Sequence, residues 1–274
     1  MAKGLALTIG LNAVDRRHYE GWSGELNACE ADATDMADVA RSRTFRVQTL
    51  LTRRATRAAV LRAIARAAKA LKPGDIFFLT YSGHGGQLPD RNADETDRQD
   101  ETWCLHDGEL IDDELYTALG RCPRGVRVLA LSDSCHSGTV TKAMYYAAKA
   151  AAGGGAPAVR YRAMPREVAL RRYRAHRAMY DKRQRSVQPD AEEALRASTI
   201  LISGCQDNQL SLDGDFNGLF TATLLRVWNE GRFRGDYRKF HQAIRRNMPP
   251  DQTPNFFTTG APNRLFERQS PFTV

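Results

Sequence analysis

The chain has 274 residues, with 40 Lys and Arg against 32 Asp and Glu and a formal net charge of +8. Its hydrophobic content of 42% supports a packed core and excludes a wholly disordered chain. No apolar run approaches the ~18 residues of a membrane-spanning helix. The five cysteines (Cys29, Cys104, Cys122, Cys135 and Cys205) are odd in number and widely spaced. That pattern fits a reducing cytoplasm better than a disulfide framework.

The apolar run at Leu5–Val14 reads as a first buried strand rather than a signal peptide. Leu26–Arg41 has helical spacing, and Phe45–Leu51 reads as a second strand. Thr56–Leu71 predicts a helix stopped by Pro73-Gly74. Asp75–Ser82, with its continuous Ile76-Phe77-Phe78-Leu79 core, predicts a strand covered on both faces. A loop rich in acids follows, then a short helix at Asp112–Leu119 and a strand at Val126–Ser132. Ser198–Ser203 predicts another strand, Gly218–Asn229 and Tyr237–Met248 helices, and Asn255–Thr259 a last strand. Strands alternating with helices predict a three-layer α/β/α sandwich around a mostly parallel sheet.

The charge is uneven. Residues 142–196 carry three Lys and ten Arg against five acids, the whole excess of eight. Residues 90–114 carry eleven acids against Arg91 and Arg98. The basic stretch interrupts the strand–helix alternation and contains Gly153-Gly154-Gly155, so it reads as an insertion. Charge runs ordinarily face water, and on that reading Arg166–Arg185 is a solvated basic helix.

Two strand ends carry reactive side chains, Tyr81-Ser82-Gly83-His84-Gly85-Gly86-Gln87 and Asp133-Ser134-Cys135-His136-Ser137-Gly138. Sites in open α/β sheets form at the carboxyl ends of strands. Cys135 is suited as a thiol nucleophile and His84 as its base. His136 competes for that role, but neighbours on a turn usually point apart. The amides of Gly85 and Cys135 are candidate oxyanion donors.

These two motifs resemble the His and Cys motifs of metacaspases and orthocaspases, within the caspase-like cysteine peptidases. Leu5–Asn12, Asn27–Ala33, Ile111–Leu115 and Ser203–Gln209 also resemble family segments. The resemblance implies one caspase-like domain over residues 1–274 and a Cys–His dyad that cuts proteins after Arg or Lys. Carried over by position, it implies an acidic S1 pocket from Asp32 and Asp133, lined by Ser82 and Cys29. A guanidinium needs carboxylates of matching geometry. Asp207, Gln209 and Asp213 belong to a loop that would shape the cleft.

Many metacaspases require calcium, and the matching acids here are Asp100, Asp112 and Asp113. A further family acid is replaced by Lys142. No cofactor beyond this calcium is expected, and Cys104-Leu105-His106 is too small a set for zinc. The basic segment falls where caspase-like enzymes carry an activation linker. Lys142, Lys149, Arg160 and Arg162 are candidate processing sites, cut by the enzyme itself or by an upstream protease. Before cutting, the segment would cover the cleft. The expected partners are protein substrates with Arg or Lys at the cut; no membrane is expected, and the chain is expected to be a monomer. Two other readings are a nucleic-acid-binding protein using the Arg-rich segment, which lacks a recognisable motif, and a non-catalytic caspase-like scaffold.

Overall fold

A computed structural model of the chain describes residues 2–91, 98–135, 160–187, 195–205, 211–214 and 216–274. The main sheet has six strands in the order β2-β1-β3-β7-β8-β9. These are β1 (Gly4–Gly10), β2 (Arg46–Leu51), β3 (Ile76–Ser82), β7 (Arg127–Asp133), β8 (Ser198–Ser203) and β9 (Asn255–Gly260). All pairs are parallel except β8 with β9. Every residue of β3 is buried, as a central strand covered on both faces must be.

One face packs against α2 (Arg57–Ala70) and α3 (Asp112–Leu119), where Val60, Ile64 and Leu119 meet Leu7, Phe77 and Leu79. The other packs against α1 (Cys29–Ser42), α6 (Leu219–Trp228), α7 (Tyr237–Arg246) and α8 (Arg264–Arg268), where Met36, Phe220 and Phe240 meet Phe78 and Ile202. Thr56 caps α2 through the Ala59 amide, and Asp236 caps α7 through that of Lys239. The expected three-layer α/β/α sandwich is therefore present.

Two expectations are corrected. The acidic stretch is not simply a loop. Among its described residues, β5 (Gln99–Leu105) and β6 (Gly108–Ile111) pair antiparallel with each other, and β5 with β4 (Gly85–Pro89), as a second small sheet. The basic stretch is not a solvated helix either. Arg166–Ala175 and Arg177–Ser186 form α4 and α5, a strap that packs on β4 and α3. Val168, Ala169, Tyr173, Tyr180 and even Arg172 are buried in it.

The two corrections have one cause. Glu109 on β6 is fully buried and takes an ion pair from Arg172 at 3.0 Å and a hydrogen bond from the Tyr180 hydroxyl. The Arg172 guanidinium also lies over the Tyr19 and Tyr180 rings. Gln184 on α5 donates its amide to Asp100 on β5. The acidic and basic segments thus cover each other. A buried charge is tolerated only with such a partner.

Candidate active site

The site lies at the carboxyl ends of β3 and β7, which end level with each other, Ser82 opposite Asp133. The loop after β3 is fixed at its backbone. The His84 carbonyl accepts from the Tyr81 hydroxyl at 2.7 Å and from the Cys104 amide at 2.9 Å. Tyr81 is itself stacked on Trp103 at 4.4 Å. The His84 ring packs against Trp22 at 4.7 Å, and its Nε2 meets the Gly24 carbonyl at 3.0 Å. Gly24 sits at φ +53 with its Cβ direction blocked by Trp22 and His84, a backbone that suits glycine. Hydrogen bonding to that carbonyl requires the proton on Nε2, so Nδ1 carries the free lone pair. Among the described residues, Nδ1 has no hydrogen-bond partner. Burial pushes the His84 pKa down to about 4, against a smaller upward pull from the Gly24 carbonyl, so the imidazole is neutral at pH 7.

Residues 160–164 lie in this cleft, bridged on one side from Tyr161 to Leu212 and on the other from Ala163 to Gly85. The Arg162 amide donates to the Ser211 carbonyl at 3.1 Å, and the Asp213 amide donates to the Arg160 carbonyl at 3.0 Å. On the other side the Met164 amide donates to the Gly85 carbonyl at 2.7 Å. The Arg162 carbonyl accepts from the Gly85 amide at 2.9 Å and from the Cys135 amide at 3.1 Å. These are the two amides that the sequence suggested as oxyanion donors. The backbone of Ala163 lies close enough to the His84 imidazole to raise its pKa. The Cys135 sulfur is buried and contacts the backbone of Ser211.

The Arg162 side chain is wholly buried in the expected pocket. It reaches Asp32 at 2.7 Å, Asp133 at 2.8 Å, Asp213 at 3.0 Å and the Ser82 hydroxyl at 2.8 Å. Burial opposes its charge, but Asp133, Cys29, Asp32 and Asp213 together hold its pKa well above the ordinary value. Asp32 has a raised pKa because burial outweighs the attraction of Arg162. Cys29, pushed up to about 12 by burial, lies beside this group as a neutral thiol.

Apart from Ser82, sequence reasoning missed the residues that hold the carboxylates. Asp32 accepts from the Asn217 amide, the Gly218 backbone amide and the Ser82 hydroxyl. Asp133 accepts from the Ser211 and Thr221 hydroxyls. Asp213 accepts from the amides of Asn27 and Ala28. Gly218 is glycine because a Cβ there would lie within 2.6 Å of the guanidinium nitrogens and carbon. The polar run Asp213–Gly218 just before a helix was the one available signal.

Of the remaining candidates, Arg160 lies at the rim, donating to the Glu25 carbonyl at 3.3 Å and the Asn27 side chain at 3.1 Å. Lys142, Lys149, His136, Asp207 and Gln209 lie outside the described residues. Burial, and then the nearby charges of Glu101, Asp113 and Asp100, raise the Asp112 pKa well above the ordinary value. Yet among the described residues no three acids, histidines or cysteines converge as metal ligands, and the Asp100 carboxylate already takes the Gln184 amide. No described helix is long and apolar enough to cross a membrane.

The whole chain is similar to protein GSU0716 from Geobacter sulfurreducens, a crystal structure, at 61% identity with a TM-score of 0.89, covering 99% of each chain. Metacaspase-1 of Coccidioides immitis is 36% identical over 156 residues, 51% of this chain and 32% of the relative. Metacaspase-1A of Aspergillus fumigatus is 36% identical over 155 residues, 51% of this chain and 36% of the relative. The chain thus spans about a third of the length of these curated relatives. Caspase-1 from Spodoptera frugiperda shares the fold at 12% identity, with a TM-score of 0.56 over 93% of this chain and 86% of that one. The caspase domain of peptidase family C14 matches residues 3–266, and with nearly the whole chain inside that match the protein belongs to the caspase-domain family of peptidases.

Proposed function

We propose that the chain is a cysteine endopeptidase that cuts proteins after Arg, and after Lys through the same carboxylates. The observation that carries this reading is the seating of Arg162. Its guanidinium lies among Asp32, Asp133 and Asp213 while its carbonyl accepts from the Gly85 and Cys135 amides. In this reading a substrate takes the same path. His84 Nδ1 takes the Cys135 proton and the sulfur attacks the carbonyl carbon. The two amides bind the oxyanion, worth about 10²- to 10³-fold per donor. His84 returns the proton to the leaving amine, and water then frees the acid from the thioester. Three carboxylates around one forked cation favour Arg over the single point charge of Lys.

Residues 160–164 fill the cleft they would have to leave, which supports reading the described arrangement as a closed zymogen. Processing of the basic linker, by the enzyme itself or by an upstream protease, is the activation route we assign to it. A stress, cell-death or defence pathway is the setting that suits such a device. The test is a panel of fluorogenic peptides ending in Arg, Lys or Asp, given to wild type and Cys135→Ala with calcium or a chelator. Arg peptides are expected to be cut fastest, Lys peptides more slowly and Asp peptides not at all, with the variant inactive. Preferred cleavage after Asp would overturn the pocket assignment.

A further inference from the structure

We infer that the enzyme reseals the Arg162–Ala163 bond it cuts, so that residues 160–164 act as a reversible built-in inhibitor rather than a fuse. The inference rests on reading Cys135 and His84 as nucleophile and base.

In an ordinary substrate the leaving amine diffuses away after the thioester forms. Here both sides of the bond are anchored independently. On the acid side, Arg162 is held by its guanidinium contacts and by the Ser211 carbonyl. On the amine side, the Met164 amide is bonded to Gly85, and the Met164 side chain is 2% exposed in a cluster with Val14, Tyr19, Cys104 and Val168. Two residues later the chain enters α4, whose Arg172 is locked to Glu109. A cut between residues 162 and 163 therefore releases nothing.

The chemistry balances in both directions. In the forward step the Cys135 sulfur bonds to the Arg162 carbonyl carbon, the C–N bond breaks, and His84 gives its proton to the Ala163 nitrogen. In the return step the neutral Ala163 amine attacks the thioester, the C–S bond breaks, and the amine proton passes to His84. Water competes by attacking the same thioester, leaving an Arg162 carboxylate. That hydrolysis is itself reversible while both ends stay bound. An amine held against its partner reaches effective molarities on the order of 10⁵ M or more, above the concentration of water. The α-amino group has an ordinary pKa near 8, so an appreciable part of it is neutral at pH 7, beside an imidazole that is also neutral.

The experiment uses the purified full chain in heavy-oxygen water at neutral pH. Uncut chain is isolated under denaturing conditions and digested with a protease that cuts only at acidic residues. The peptide spanning Arg162 and Ala163 is then weighed. Resealing straight from the thioester leaves the carbonyl oxygen unchanged, so label enters only through the hydrolysed Arg162 carboxylate; its return to the amide predicts heavy oxygen in that peptide of the uncut wild-type chain and none in Cys135→Ala. A Met164→Asp variant, which loosens only the amine side, should accumulate the two-chain form roughly tenfold more, a shift of about 1.4 kcal/mol, with less label in its uncut chain. Two results overturn the inference in an enzyme that cuts Arg peptides: a two-chain form that builds up while uncut chain stays unlabelled, or a bond that is never cut. Failure to cut Arg peptides at all would instead defeat the reading beneath it.

Discussion

Two buried arginines, ten positions apart on the same basic segment, are held in different ways. Arg162 meets three carboxylates, each with other donors: Asn217 and Gly218 for Asp32, Ser211 and Thr221 for Asp133, Asn27 and Ala28 for Asp213. Arg172 meets one carboxylate, Glu109, whose other close donor is Tyr180 from the same strap, apart from a 3.3 Å contact with Thr102. Withdrawing Arg162 leaves a formed pocket with spare negative charge. Withdrawing Arg172 leaves a buried carboxylate without its cation. The first is how a binding site is built, and the second is how a clasp is built. A polar group that keeps its partners when the ligand leaves is pre-organised, and one that loses them resists the loss.

The sharpest test of the comparison is to remove the chemistry while keeping both anchors. Cys135→Ala should abolish cleavage of Arg peptides and of the chain itself, with melting temperature little changed, as read by fluorogenic assay and calorimetry. Next in size is Asp133→Asn. Truncating one partner of a buried charge pair costs about 2–5 kcal/mol, so kcat/KM for Arg peptides should fall by roughly 30-fold to several thousandfold, and least for neutral peptides. An equal fall for every peptide would place Asp133 in folding rather than recognition.

Arg172→Ala should destabilise the closed protein by about 3–5 kcal/mol, the usual result of leaving one buried ion unpaired. It should also raise the rate on added Arg peptides, because the strap lifts more easily. Arg162→Ala should raise that rate too, about tenfold if the closed state dominates, with a smaller loss of melting temperature. The reverse order of stabilities would break the distinction between site and clasp.

A separate effect is that of pH. His84 has a folded pKa of about 4 against an ordinary 6.5 because of burial. Its contribution to the closed form is therefore complete above pH 6.5 and is lost as pH falls towards 4, by at most about 3 kcal/mol. Hydrogen exchange at the Met164 amide in Cys135→Ala should accelerate across that window. Exchange that is flat from pH 7 to 4, after correction for the intrinsic rate, would mean that opening leaves His84 buried.

The strand ends bearing His84 and Cys135 were legible because both follow apolar runs that end in glycine-rich turns, a local signal. Asp32 and Asp133 came from resemblance, as did the linker in which Arg162 was one candidate processing site. The small sheet was not legible. Glu109 and Asp100 are buried by residues more than sixty positions away, and no local pattern records such a partner. For the same reason the strap looked like a solvated helix. Ser211, Asn217, Thr221 and Gln252 were missed because their value lies in what they hold. Gln252, for instance, donates to the Ser211 hydroxyl, which in turn donates to Asp133.

The Arg162 carbonyl, resting on the amides of Gly85 and Cys135, also bears on how such an enzyme is counted. An electrophilic arginine reagent designed to tag Cys135 needs those same two amides and the same pocket. It would tag only molecules whose cleft has been vacated. The signal from such a reagent is a gauge of opening, and a sample rich in this protein can give almost none.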